Sequence, residues 1–179
     1  MSVTPEDIET LHAQLGRVPR GVVSVAARCV CGNPTVVKTA PRLPDGTPFP
    51  TLYYLTHPGA VAATSTLEAT GTMREFQARL GDDEALASAY RAAHERYLEE
   101  RYALEDVEEI HGISAGGMPD RVKCLHVLVG YSLAAGPGVN PLGDDALALI
   151  AKAWRPDRCA CDTPRSARDV AAAAVWEDS

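Results

Sequence analysis

"GVVSVAARCVCGNPTVVKTAP", residues 21–41, sets two β-branched runs on either side of a short Cys-Gly-Asn-Pro break. Valine and threonine fit a pleated, half-buried surface, whereas glycine, asparagine and proline turn the chain. The stretch predicts two strands, "GVVSVAARC" and "PTVVKTAPR", joined by a turn at "CGNP". Downstream, "LPDGTPFP" reads as a turn-rich loop and "TLYYLT" as a third strand. An antiparallel sheet of about three strands follows.

Helices flank that sheet. "TPEDIETLHAQLG" (4–16) has Thr4 as N-cap, Pro5 at the first position, Asp7 as capping-box partner and Gly16 as the stop. Ile8, Leu11 and Leu15 mark its expected buried stripe. Thr56 is the expected cap of "PGAVAATSTLEAT", which ends before Gly71. "DDEALASAYRAAHERYLEERYALEDVEEI" (82–110) reads as one long helix. Leu86, Tyr90, His94, Tyr97 and Leu98 share one side of it, and Glu95, Arg96, Glu99, Glu100 and Arg101 form a solvated face. After the glycine-rich break "HGISAGGMPD", "RVKCLHVLVGYSLAAG" (121–136) is apolar nearly all round, as a central buried helix is. Asp144 or Asp145 is placed to cap "ALALIAKAW". The expected fold class is α+β: a small antiparallel sheet packed by helices, with a long exposed helix and a central buried one. Residues 1–153 form one domain, and 154–179, polar and then alanine-rich, form a C-terminal tail, flexible or partly helical.

The net charge of −7 argues against a general nucleic-acid surface, which needs clustered Lys and Arg to neutralise phosphate. "MSVTPEDIET" is acidic where a secretory leader would be basic, and the apolar run "CLHVLVGYSLAAG" is shorter than the ~20 residues of a membrane span. The expected location is cytoplasmic. In a reducing compartment the five cysteines suit thiol or metal-ligand roles better than disulfides.

Three phrases, "DGTPFPTLYYLTHP", "GMPDRVKCLH" and "GPGVNPLGDDALAL", occur in an order that resembles a bacterial family catalogued as domain of unknown function 501. The resemblance covers about residues 14–150 and leaves the C-terminal 25 or so residues outside. It implies no assigned activity. It does imply a chemical departure, because the typical family phrase has a cysteine where this chain has His57 and an aromatic where it has Cys31. Cysteine and histidine are poor substitutes as packing residues but both bind zinc, so His57 reads as a ligand swap.

Structural zinc takes four ligands, mainly cysteine and histidine, in a tetrahedron. The leading expected set is Cys29, His57, Cys124 and His126, with Cys31 as a possible substitute. Cys29 and Cys31 share a side if the strand runs through "RCVC". On a regular helix Cys124 and His126 diverge by about 200°, so both ligate only if the helix starts irregularly or the ion lies at its end. A competing set joins two Cys-x-Cys units: Cys29 and Cys31 with Cys159 and Cys161. Core packing is the alternative role for Cys124; His12 and His94 carry no ligand argument, and His111, beside the glycine break, reads as a loop residue or a reserve ligand.

The function expected from these features is a small binding or regulatory domain with a structural zinc, leaning away from an enzyme. Its partner is a protein or a small anionic ligand, the latter met by Arg121, Lys123 and the backbone of "GGMPD". A cysteine- or metal-dependent hydrolase is the second reading, with Cys124 as nucleophile, His126 or His57 as base, and Asp120 or Glu68 as orienter. A metal-free adaptor is the third.

Overall fold

The computed structural model describes residues 1–162, and in it the two valine-rich runs do form a hairpin. Helix α1 (Pro5–Leu15) precedes strands β1 (Val22–Arg28), β2 (Pro34–Thr39) and β3 (Tyr53–Leu55). Helices α2 (Pro58–Ala69), α3 (Thr72–Asp82), α4 (Glu84–Tyr102), α5 (Leu125–Ala135) and α6 (Pro141–Ile150) follow, with a single 3₁₀ turn at Glu108–Ile110. The sheet is an antiparallel meander, β1-β2-β3, with Val25 opposite Val37 and Val37 opposite Tyr54. This is the α+β fold expected from the sequence. No helix among the described residues is long and apolar enough to cross a membrane.

Local chemistry fixes the first helix as read. Thr4 and Asp7 form a reciprocal capping box, and Gly16 closes the helix in the left-handed region at φ 65°. Asp7 is fully buried because it also pairs with Arg28 of β1 at 2.7 Å. Leu11 is buried, but Ile8 is 38% exposed, so the buried stripe is narrower than expected.

Other boundaries move for identifiable reasons. His57, not Thr56, caps α2, because its Nδ1 accepts from Gly59 N at 3.1 Å and Ala60 N at 3.4 Å. Thr56 Oγ1 is engaged instead with Thr35 O. Gly71, at φ 90°, restarts the chain as α3, a helix without counterpart among the sequence expectations. Asp83 caps α4, which ends at Tyr102 rather than continuing to Ile110. Asn140 caps α6, its side chain accepting from Gly143 N, where Asp144 or Asp145 was the expected cap. Pro141 then occupies the first helical position.

Helix α5 is the central element. It packs on β3 and on α6, and Leu125, Leu128, Val129, Gly130, Tyr131 and Ser132 are all buried. A Cβ at Gly130 would lie 3.2 Å from Tyr53 O, so glycine permits the close crossing over β3. Tyr53 stacks on Tyr131 at 5.6 Å, and Tyr97 meets Tyr131 edge-on at 5.1 Å, tying β3, α4 and α5 together. Arg101, expected on the solvated face of α4, is 1% exposed. Its guanidinium donates to Pro50 O, Ile110 O and Ile113 O, satisfying carbonyls of two loops.

Candidate metal centre

The hairpin turn and the segment after α6 meet. Cys29 ends the β1 run and the chain reverses at once: Cys29 N donates to Asn33 O at 2.9 Å and Gly32 N to Cys29 O at 2.8 Å. Gly32 adopts φ 93°, a conformation that strains residues with a Cβ. This tight reversal holds Cys29 and Cys31 on one corner of the sheet. Trp154, at the head of the expected tail, is buried, and its ring lies 5.3 Å from that of His57. The chain then continues without helix or strand to Cys159 and Cys161; residues 163–179 lie outside the described residues.

Cys29, Cys31, Cys159 and Cys161 place their sulfur atoms all within 4.8 Å of one another. Cys31 Sγ and Cys161 Sγ are 3.5 Å apart, although 130 positions separate them in sequence. None of the five cysteines is disulfide-bonded among the described residues. Burial is the largest influence on both Cys29 and Cys161 and pushes their pKa values up. A dication would reverse that preference, since a coordinating thiol is deprotonated outright.

Side-chain contacts at Cys161 act both ways, since those with Cys31 and Cys29 favour the neutral thiol. The Asn33 side chain hydrogen-bonds to the thiol and acts against the effect of burial. His57 Nε2 lies 3.2 Å from Cys161 Sγ. Because His57 Nδ1 already accepts from two backbone N–H groups, the ring proton belongs on Nε2, aimed at the sulfur. A metal-bound imidazole would instead need its other nitrogen to be a donor. His57 is therefore a donor to the thiol cluster in this geometry. Burial lowers its pKa, consistent with a neutral ring.

A second group lies at the start of α5. Glu68, Cys124 and His126 bring one ligand atom each within 4.8 Å of the others. Cys124 is the N-cap of α5, extended at φ −154° and ψ 112°, so it escapes the helical divergence from His126. Cys124 Sγ lies 4.0 Å and Glu68 Oε1 3.2 Å from His126 Nδ1. The hydrogen bond with Cys124 and the charge of Glu68 push the imidazole up to about 8 against the effect of burial. Leu125 N donates to Glu68 Oε1 at 2.6 Å. Cys124 and His126 line a cavity of about 570 Å³ bounded by α1, β3 and α2.

The expected ligands are thus divided between two clusters. Cys29 and Cys31 join Cys159 and Cys161, with His57 adjacent; Cys124 and His126 join Glu68 elsewhere. Of the two orienters weighed, Glu68 contacts His126, while Asp120 pairs with Arg91. At the start of α5 the Glu68 carboxylate takes Leu125 N. Asn33 and Trp154 carried no sequence signal of their own. Glu68, one helical turn beyond Ser65 on α2, joins it and the Val61 carbonyl against His126.

A three-stranded α+β domain with two clusters of potential metal ligands is the class that fold and site define. The chain belongs to the family described as Protein of unknown function (DUF501), which matches residues 25–148. That range includes both hairpin cysteines and the Glu68 cluster, and stops short of Trp154, Cys159 and Cys161. No curated protein and no solved structure matches the chain.

Proposed function

We propose that the protein is a small binding or regulatory domain whose C-terminal segment is stapled to its hairpin by one structural zinc ion, held by Cys29, Cys31, Cys159 and Cys161. The observation that carries this reading is the convergence of four sulfur atoms, from segments about 130 residues apart, to mutual distances within 4.8 Å. Zn–S bonds of about 2.3 Å in a tetrahedron put sulfur atoms about 3.8 Å apart, close to the 3.5 Å between Cys31 and Cys161. Donors from His57 and Asn33 are the supporting bonds a thiolate site uses.

Four thiolates close the coordination sphere, leaving no position for water or substrate, so this centre supports structure rather than catalysis. A reducing, cytoplasmic setting keeps such thiols available. The 570 Å³ cavity then offers the binding surface for a small ligand or a partner's side chain. Elemental analysis of the untagged full chain tests the staple. Cys159→Ser combined with Cys161→Ser is expected to lose one equivalent of zinc relative to the native sequence. Equal zinc in both proteins would refute it, and iron in place of zinc would correct the metal.

A further inference from the structure

Glu68, Cys124 and His126 turn one potential ligand atom each toward the others at the start of α5, all within 4.8 Å. With its ring proton on Nε2, a neutral His126 donates to Val61 O at 3.3 Å. Ser65 Oγ, 3.1 Å away, is the other neighbour of that nitrogen. Nδ1 is then left with a lone pair facing Glu68 Oε1 at 3.2 Å and Cys124 Sγ at 4.0 Å, two groups that are themselves acceptors once ionised. In that tautomer a metal ion between the three atoms would accept a lone pair from each.

The arrangement matches what a metal needs and what His57 lacks. A ligating imidazole donates its other N–H to a carbonyl or carboxylate, and Val61 O, 3.3 Å from Nε2, is placed to accept it. Tetrahedral bonds of about 2.0–2.3 Å give ligand-to-ligand spacings of roughly 3.3–3.8 Å, bracketed by the 3.2 and 4.0 Å found. Glu68 is held in place by Leu125 N, so the site is partly organised in advance. Cys124 and His126 both line the cavity, where Gln14 Oε1 is buried without a hydrogen-bond partner among the described residues.

We propose that Glu68, Cys124 and His126 form a second site, for a divalent transition metal of the zinc or cobalt class, with its remaining coordination position open to the 570 Å³ cavity. Mixed N, O and S donors suit a borderline metal better than magnesium or calcium, which take oxygen. Three protein ligands with one open position are the arrangement of metal sites that bind a water or an exogenous donor. The inference does not depend on the four-cysteine staple, which uses none of these three residues.

Cobalt(II) loading of the metal-free full chain under reducing conditions separates the two sites, with metal counted by elemental analysis. The native sequence is expected to hold two equivalents. Glu68→Gln should hold one and keep the strong sulfur-to-cobalt absorption of four thiolates. Cys159→Ser with Cys161→Ser should also hold one, with the weaker absorption of a single thiolate; if the staple fails but this site stands, that variant matches the native count. Unchanged cobalt in Glu68→Gln would overturn the proposal. The native sequence provides a check that needs no variant. Cobalt should slow alkylation of Cys124, read by site-resolved mass spectrometry, by tenfold or more. Equal Cys124 alkylation with and without cobalt would leave only an imidazolium beside a carboxylate, and the second site would fall.

Discussion

At the scale of single residues, the two histidines near thiols differ in which nitrogen is already committed. His57 uses Nδ1 to cap α2, so it presents a proton to Cys161; His126 sets Nε2 beside Val61 O and Ser65 Oγ and turns Nδ1 to Glu68 and Cys124, so Nδ1 is the nitrogen it can offer to a metal. His57→Ala should therefore keep the zinc count at the four-cysteine centre while weakening its affinity by roughly 10–100-fold, the usual cost of removing a hydrogen bond to a ligand. Competition against a chromophoric chelator measures this. Loss of a whole equivalent would instead make His57 a ligand, as the sequence expectation has it. None of this was legible from residue type, because histidine offers one nitrogen as acceptor and the other as donor and only the neighbours decide. Arg101 makes the same point: its place among charged residues predicts exposure, but three loop carbonyls hold it in the interior.

Among elements, the hairpin, α1 and the buried α5 were legible because each carries its own signal: β-branched runs, a capping box, and an unbroken apolar surface. Helix α3 was not. Met73, Phe76 and Leu80 give it only a thin apolar stripe, and Gly71 and Gly81 resemble breaks. The two clusters were half legible, since Cys-x-Cys pairs announce themselves while Glu68 acquires meaning only when α2 meets the start of α5. Glycines show why local signals mislead. In α3, a Cβ at Gly81 would meet nothing within 4 Å. In α6, a Cβ at Gly143 would collide with Leu128 O and Ser132 Oγ of α5. The same substitution should act in opposite directions. Gly81→Ala should stabilise by about 0.5–1 kcal/mol through helix propensity. Gly143→Ala should destabilise by about 1–3 kcal/mol, or roughly 2–12 °C in Tm, as α6 is pushed off α5. Thermal melts of both decide it; a Gly143→Ala protein melting at or above the native temperature would refute the close crossing.

For the molecule as a whole, two closures act at different depths. The tyrosine cluster and α5 join sheet to helices through apolar contact, independent of any ion. The four cysteines set residues 29–31 against 159–161 across a loop of about 130 residues, where the proposed metal cross-link would remove much chain entropy from the unfolded state. If a metal staple is worth what a typical disulfide cross-link is, about 2–4 kcal/mol, chelation should lower Tm by roughly 4–16 °C without unfolding the domain. The loss should also be local. Backbone amides of residues 155–162 should exchange with deuterium far faster once zinc is removed, whereas Leu128–Ser132, buried at the centre of α5, should stay protected. Hydrogen exchange with and without a zinc chelator, under reducing conditions, reads both regions at once. Equal loss of protection in α5 would mean that the metal organises the core itself, as in domains that do not fold without their ion. No change at residues 155–162 would mean that Trp154 alone, packed against His57, holds the segment.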